Sequence, residues 1–350
     1  MLFKFNVILI IKSILLLYLS LIYSAASEAM SLDIFVEQYI DQKIKPDLNE
    51  FETQTERLRQ STINHCQSQT DQTLLALKES WVNTYLSWKK IQLFGFGPTG
   101  SLRVERRLDF WPTRISKIKK ILLDTDAKRA FQNSGVSARG FPAIEWLIFK
   151  SEEEQNKNYC ELLHLLSRDI LEQTQVLNQA WQSDLIKLNG SNDLQLNTHI
   201  YSNKPAEEFI NAMVVGIYAV RKKSLITPMG FTTGFIDTKR MEASNSKLST
   251  ITFKTRLQSI IEFFDDDQIG LISWLETNKN KGLAKRIKPK VESIKNLQSI
   301  IGDNFANLIQ NKDESLIKLE SQMNDLQFII EEDLSTHFNL IMFFKDLDGD

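Results

Sequence analysis

The chain has 350 residues, 42 Lys and Arg against 44 Asp and Glu, a net charge of −2, and 42% hydrophobic residues. These fractions are those of a folded protein and exclude wholesale disorder. With 13 Gly and 7 Pro, the chain is neither collagen-like nor of low complexity. A charge so close to zero argues against a general nucleic-acid-binding protein, whose domains are usually strongly basic. The length fits one large folded unit or two domains.

The first 26 residues differ in composition from the rest of the chain. Their only charges are two lysines, the run from Val7 to Tyr23 is almost continuously apolar, and small residues follow it. This order predicts a secretory signal peptide over residues 1–26, cleaved after Ala26 or alternatively after Ala29. Because the apolar run is long enough for a short span, an uncleaved membrane anchor is the alternative. Cleavage after Ala26 changes the net charge from −2 to −4.

Export by this signal predicts a protein of the periplasm or cell envelope. No second apolar run approaches the roughly 20 residues that a membrane helix needs, so no membrane span is expected after cleavage. An oxidising location also favours a disulfide between the two cysteines, Cys66 and Cys160. Two separate buried thiols are the alternative.

Apolar residues recur every three or four positions through most of the mature chain, as they do in helices that bury one face. Pro46 is expected to kink or split the first helix, and residues 228–245 are expected to form a long ordered loop. Since no segment alternates with period two, the pattern predicts an all-α protein of antiparallel helical bundles, divided near residue 200. The predicted helices lie at about 32–58, 74–88, 115–122, 143–149, 155–188, 205–225, 250–278, 283–311 and 313–335.

One acidic residue stands in an apolar segment. Glu145 lies between Ala143-Ile144 and Trp146-Leu147-Ile148, in a helix that Pro142 is expected to begin. A carboxylate buried there needs a partner such as an arginine or a metal, and Arg139 is the candidate. A structural ion pair and a binding-site carboxylate are both consistent with the pattern. A second polar cluster, in the other half of the chain, consists of Glu242, Ser244 and Ser246.

Four arginines surround residues 108–112. They could bind an anion through their fixed fork of donors, or they could form a solvated basic face. They are Arg103, Arg106, Arg107 and Arg114.

Several sequence blocks occur in an order typical of one family. They are Trp81-(x)6-Trp88, Phe96-Gly-Pro98, Phe110-Trp-Pro112, Arg139-Gly-Phe-Pro-Ala-Ile-Glu-Trp-Leu-Ile-Phe149, Pro228-Met-Gly230, Glu242-Ala-Ser-Asn-Ser246 and Asp346-Leu-Asp-Gly-Asp350. Together they resemble the imelysin-like proteins, a family that is classified among the peptidases and is often iron-regulated. The resemblance is strongest to the predicted-lipoprotein branch of that family. The resemblance implies a domain over about residues 31–345 with two helical halves related by duplication, 31–198 and 199–350, and a site between them.

The chain departs from the family in its name-giving motif, Gly-x-His-x-x-Glu. Gly140 and Glu145 match the ends of that motif, but Pro142 stands where the His would be. Because proline has no imidazole, the motif lacks its histidine ligand, and the sequence argues against hydrolysis through this motif. Asn245 stands where the second cluster more typically carries an arginine, and no Cys lies near the cleavage site to accept a lipid anchor.

These features favour a cell-envelope binding protein linked to iron uptake over an enzyme. A metallopeptidase of the imelysin type and a helical scaffold without a small ligand are the alternatives. The sequence does not identify a cofactor. Iron or another divalent metal is the candidate, and Glu145 is the candidate metal ligand. Iron-uptake components of the envelope are the candidate partners. The predicted ligand-binding residues are Arg139, Gly140, Glu145, Glu242, Ser244 and Ser246.

Overall fold

A computed structural model of the protein describes residues 32–150, 152, 156–182, 205–302 and 304–342. Within these ranges the chain forms helices and turns and no β-strand, which confirms the predicted all-α fold. The signal peptide, the boundary near residue 200 and the terminal motif Asp346–Asp350 lie outside the described residues. In those residues no helix combines the length and apolarity needed to cross a membrane.

The N-terminal part, up to residue 182, begins with α1 and is followed by a π-helical turn at Ile40–Ile44. That turn ends at Ile44, two residues before Pro46, whose missing N–H breaks the regular hydrogen-bond ladder as expected. The helices of this part are α1 (Leu32–Tyr39), α2 (Lys45–Ser68), α3 (Asp71–Ile91), α4 (Gly97–Ser101), α5 (Val104–Leu108), α6 (Ile115–Leu123), α7 (Ala127–Gln132), α8 (Gly140–Phe149) and α9 (Tyr159–Gln182).

The C-terminal part begins at residue 205. Its helices are α10 (Pro205–Arg221), α11 (Ser249–Asp265), α12 (Leu271–Thr277), α13 (Lys281–Ile300), α14 (Phe305–Gln310), α15 (Glu314–Phe328) and α16 (Ser335–Phe338). Single-turn π-helices follow α10 at Lys222–Ile226 and α15 at Ile329–Leu334. Residues 227–248 form the predicted loop, with one short 3-10 turn at Thr238–Arg240.

The long helices pack side by side. In the N-terminal part α2 lies along both α3 and α9, and α8 packs on α3 and α9. A disulfide joins Cys66 at the end of α2 to Cys160 at the start of α9, with the two Cα atoms 5.5 Å apart, so the predicted bridge is confirmed. In the C-terminal part α13 packs against α11, α12 and α15.

Aromatic side chains join the two parts in one continuous core. The Tyr39 ring lies 5.8 Å from that of Phe209 and 5.3 Å from that of Phe263, and the rings of Phe94 and Phe209 stack at 5.9 Å. Each contact pairs a residue of the N-terminal part with one of the C-terminal part. Helix α11 also packs on α3, which brings polar side chains of the two parts together.

Among the helix boundaries that differ from the prediction, the start of α8 bears on the site. Helix α8 begins at Gly140 rather than at Ala143, so Pro142 lies third in the helix and Glu145 lies in its second turn. Proline is tolerated there because the N–H groups of the first turn have no partner within the helix. The predicted helix over 250–278 is divided at Gly270, where an added Cβ would lie 2.4 Å from the Asp266 carbonyl oxygen.

Candidate functional site

The backbone at the start of α8 packs closely against the backbone at the end of α5. Gly140 has a φ of +71°, and an added Cβ would lie 2.1 Å from the carbonyl oxygen of Leu108. Only glycine allows this approach, because it adopts a positive φ without strain and has no side chain to clash. The matched family-motif glycine therefore fixes α8, which carries Glu145, against the backbone that leads into Asp109.

Glu145 is buried, with 4% of its surface exposed. Its Oε1 accepts hydrogen bonds from the backbone N–H and the hydroxyl of Ser246, both at 2.8 Å. Burial raises the pKa of Glu145, and the two hydrogen bonds from Ser246 partly offset this. The carboxylate of the N-terminal part therefore faces the loop of the C-terminal part.

Two of the predicted site residues lie elsewhere. The Arg139 guanidinium donates to Asp169 Oδ1 at 3.3 Å and to the Phe131 carbonyl oxygen at 2.9 Å. The Arg139 side chain therefore binds to α7 and α9 and not to Glu145, so the predicted partnership was wrong. Residue 139 is extended and precedes α8. Ser244 donates to the Lys239 carbonyl oxygen within its own loop, at 3.3 Å.

Glu242 is bound on both carboxylate oxygens. Its Oε1 accepts from the Lys89 ammonium at 2.8 Å and its Oε2 accepts from the Arg256 guanidinium at 2.5 Å. Burial alone would raise the pKa of Glu242, but Arg256, Lys89 and Lys223 outweigh it and hold that pKa well below its ordinary value. Glu242 is therefore ionised at neutral pH.

Lys89 is the centre of this cluster, and its side chain is fully buried. Its ammonium donates to Asp109 Oδ2, to Glu242 Oε1 at 2.8 Å and to Gln92 Oε1 at 2.9 Å, and it lies 4.7 Å from the centre of the Tyr85 ring. Three acceptors match the three N–H donors of a lysine ammonium.

Asp109 is the second carboxylate bound by Lys89. Its Oδ2 also accepts from Trp88 Nε1 at 3.1 Å and from Gln92 Nε2 at 3.2 Å. Burial raises the pKa of Asp109, while the Lys89 ammonium acts in the opposite direction. The buried aspartate thus depends on Lys89 for its compensating charge.

The cluster reaches the surface through an ion pair between Lys223 and Glu105, 2.7 Å apart. The Glu105 side chain is 45% exposed and that of Lys223 is 19% exposed, and Gln92 Nε2 donates to Glu105 Oε1 at 3.0 Å. We call the connected set the interface network: Lys89, Gln92, Glu105, Asp109, Lys223, Glu242 and Arg256. Its three cations and three carboxylates balance, and Glu145 lies beside it as a fourth carboxylate.

Sequence reasoning found Glu242 and Glu145 but missed Lys89, Asp109 and Arg256. One signal was available for Lys89, which follows Trp81 and Tyr85 at steps of four and therefore lies on the buried face of its helix. A lysine on such a face needs an acidic partner. The arginines at 103, 106, 107 and 114 are all exposed, as in the alternative of a solvated basic face.

The residues do not fit a resident divalent metal at this place. No three His, Cys, Asp or Glu side chains of the described chain are grouped so that they could hold a metal ion, whereas zinc sites in proteins usually supply at least three such donors. Asp109 and Glu242 share the Lys89 ammonium, and an oxygen of Glu145 accepts from Ser246.

An all-α protein with a buried charge network beneath a long loop is the class that fold and site define. The peptidase family model described as Imelysin matches residues 44–329. The chain belongs to the imelysin family. No curated protein sequence matches it.

Two solved structures have the same fold. An imelysin-like protein from Psychrobacter arcticum 273-4 superposes with a TM-score of 0.71 at 14% identity, covering 90% of this chain and 98% of that one. A protein from Parabacteroides distasonis ATCC 8503, described as an iron-regulated protein A precursor, superposes with a TM-score of 0.67 at 19% identity, covering 87% and 96%. At these identities the similarity concerns the fold.

Proposed function

We propose that the protein is an exported imelysin-like protein of the cell envelope that binds a ligand between its two helical parts and takes part in iron uptake. The apolar N-terminal segment supports export. The description of the Parabacteroides distasonis protein as iron-regulated supports the link to iron. The interface network supports the position of the binding site.

The observation that carries the proposal is the burial of Lys89, Asp109, Glu242 and Arg256, each at most 4% exposed, across the contact between the two parts. A buried ion pair is weak evidence for stability, because apolar residues of similar volume often stabilise a core as well. Departures from an apolar core are expected mainly where function requires them. The block around Glu145, one of the most specific points of family resemblance, lies beside this network.

The arrangement favours binding over hydrolysis. Hydrolysis by a metallopeptidase needs a metal-bound water and a general base. Pro142 supplies no imidazole, and Glu145, Glu242 and Asp109 all accept hydrogen bonds from protein donors. The Glu105–Lys223 pair is the exposed end of the network, so a charged iron complex would first compete for these two side chains.

The test uses the mature chain, residues 27–350, and two probes: ferric citrate and haemin. Isothermal titration of the wild type, Lys223→Ala and Glu145→Gln is compared with the exposed control Glu276→Gln. We expect saturable binding of one of the two iron complexes, weakened about tenfold or more by either interface variant (about 1.4 kcal/mol) and unchanged in the control. Absence of binding by both iron complexes, or equal binding by all variants, would contradict the proposal.

A cellular experiment tests the link to iron separately. Deletion of the gene is expected to slow growth of the host when iron is chelated, and the wild-type gene should restore growth where the Glu145→Gln gene does not. Equal growth of all strains under chelation would remove iron uptake from the proposal without affecting the in vitro binding result.

A further inference from the structure

We infer that the Lys89 ammonium is the resident cation of the interface and occupies the position that a divalent metal would take between Asp109 and Glu242. This goes beyond the proposed function, because it concerns what holds the two parts together whether or not a ligand binds there.

The surroundings of the ammonium are those of an oxygen-lined cation site. Its acceptors are one carboxylate oxygen of Asp109, one of Glu242 at 2.8 Å and the amide oxygen of Gln92 at 2.9 Å. Carboxylate and amide oxygens are the ligands that hard divalent cations prefer. Asp109 and Gln92 come from the N-terminal part and Glu242 from the C-terminal part, so the cation bridges the two.

The fourth side of the ammonium faces the Tyr85 ring, whose centre lies 4.7 Å away. The negative face of an aromatic ring attracts a cation, and the aspartate, the glutamate and the glutamine are at most 7% exposed. The site is therefore enclosed, and the tether of Lys89 to α3 keeps its cation permanently in place.

The charge balance explains why a metal is excluded while Lys89 is present. Within the interface network three cations face three carboxylates. A divalent ion added beside the ammonium would introduce two further positive charges into a space whose oxygens are already engaged, and like charges repel strongly in a buried setting. Removal of the ammonium leaves two buried carboxylates and an amide oxygen, which is a donor set for Mn²⁺ or Ca²⁺.

The experiment compares the mature wild type with Lys89→Ala after treatment with a chelator. Thermal unfolding is measured with and without Mn²⁺, and bound Mn²⁺ is counted from the loss of the free-ion electron paramagnetic resonance signal. We expect Lys89→Ala to melt at a lower temperature than the wild type, to bind one Mn²⁺ and to regain part of the lost melting temperature with it. The wild type should bind no Mn²⁺ at this place.

Two variants serve as matched controls. Lys285→Ala removes an exposed lysine and should behave as the wild type, and Lys89→Ala combined with Glu242→Gln should lose the acquired Mn²⁺ binding. The inference is overturned if folded Lys89→Ala binds no Mn²⁺, or if the wild type binds Mn²⁺ in a way that Glu242→Gln abolishes.

A lysine analogue, made by alkylating a cysteine at position 89, tests the inference if Lys89→Ala does not fold. Lys89→Cys is unfolded in urea with the native disulfide intact, and its thiol is alkylated either with bromoethylamine, which restores an ammonium, or with a neutral reagent of the same length. We expect only the aminoethylated protein to refold to the wild-type melting temperature. Equal refolding of both products would show that the charge is not required and would overturn the inference.

Discussion

Replacement of two buried glutamates of the interface is expected to change stability with different pH profiles. Glu145 and Glu242 are both 4% exposed, but Glu145 accepts from a serine whereas Glu242 is bound by Lys89 and Arg256. Replacement of each by glutamine removes one ionisable group and keeps the shape of the side chain. The comparison therefore isolates charge.

Glu242→Gln should be strongly destabilising at neutral pH. The substitution leaves Arg256 without its bound carboxylate and Lys89 with only Asp109, and breaking a buried ion pair from one side costs about 3–5 kcal/mol. Because the pKa of Glu242 is lowered in the folded state, its contribution is present above the ordinary glutamate value of about 4.3 and is lost as the pH falls further. The destabilisation caused by Glu242→Gln should therefore be constant between about pH 5 and 7.5.

Glu145→Gln should change the free energy of unfolding by only about 1 kcal/mol at pH 7.5, since the amide oxygen can still accept from Ser246. The pKa of Glu145 is raised in the folded state, so the folded protein binds more protons than the unfolded chain. Stability from this group therefore falls as the pH rises from about 4.3 through the raised pKa. The free energy of unfolding of the wild type should therefore rise relative to that of Glu145→Gln as the pH is lowered toward about 5.

Urea unfolding at about pH 5, 6 and 7.5, followed by tryptophan fluorescence and circular dichroism, measures both effects. The exposed Glu276→Gln serves as the control and should stay within about 0.5 kcal/mol of the wild type. The reasoning is refuted if Glu242→Gln costs less than about 1 kcal/mol at pH 7.5, or if the two interface variants follow the same pH profile.

Three further outcomes are expected. Gly140→Ala should lower the free energy of unfolding by well over the about 1–2 kcal/mol expected for the control Gly135→Ala, where the new residue is only left-handed. At Gly140 the added Cβ would lie 2.1 Å from the Leu108 carbonyl oxygen, whereas nothing lies within 4 Å of it at Gly135. Equal losses in urea unfolding would contradict this. Replacing both Cys66 and Cys160 by serine should lower the free energy of unfolding by about 4 kcal/mol, since the bridge spans 94 positions; a loss under about 1 kcal/mol would count against the loop-entropy argument. Zinc-, iron- or manganese-loaded protein should not cleave a peptide library above background, and turnover that disappears in Glu145→Gln would show an enzyme.

The fold was predictable because its determinants are local. Apolar periodicity marks the buried face of each helix wherever that helix finally packs, and with two cysteines in the chain only one bridge can form. The division at Gly270 was less visible. It arises where the backbone turns against Asp266, and periodicity continues across that turn.

The candidate site was predictable only where one short segment contained both a charged residue and the apolar neighbours that bury it. Glu145 stands out because apolar neighbours flank it, and the loop that carries Ser246 does face it. Arg139 was assigned by its nearness in sequence, but it pairs with Asp169 on another helix. Arg256 lies in a helix whose pattern gives no sign that an acid 14 positions earlier and a lysine from the other part share its environment.

The interface network and the departure of this chain from the family motif both bear on how a ligand would bind. Pro142 removes an imidazole from the motif, and Lys89 supplies a fixed positive charge between Asp109 and Glu242. The three carboxylates of the interface network are balanced by three cationic side chains of the protein itself. On the proposed function, a ligand would have to exchange existing ion pairs rather than fill an uncompensated site, and the exchange would begin at the Glu105–Lys223 pair, which is the part of the network open to solvent. Affinity at such an exposed pair should weaken as salt increases, whereas binding to a vacant buried metal site would depend much less on ionic strength.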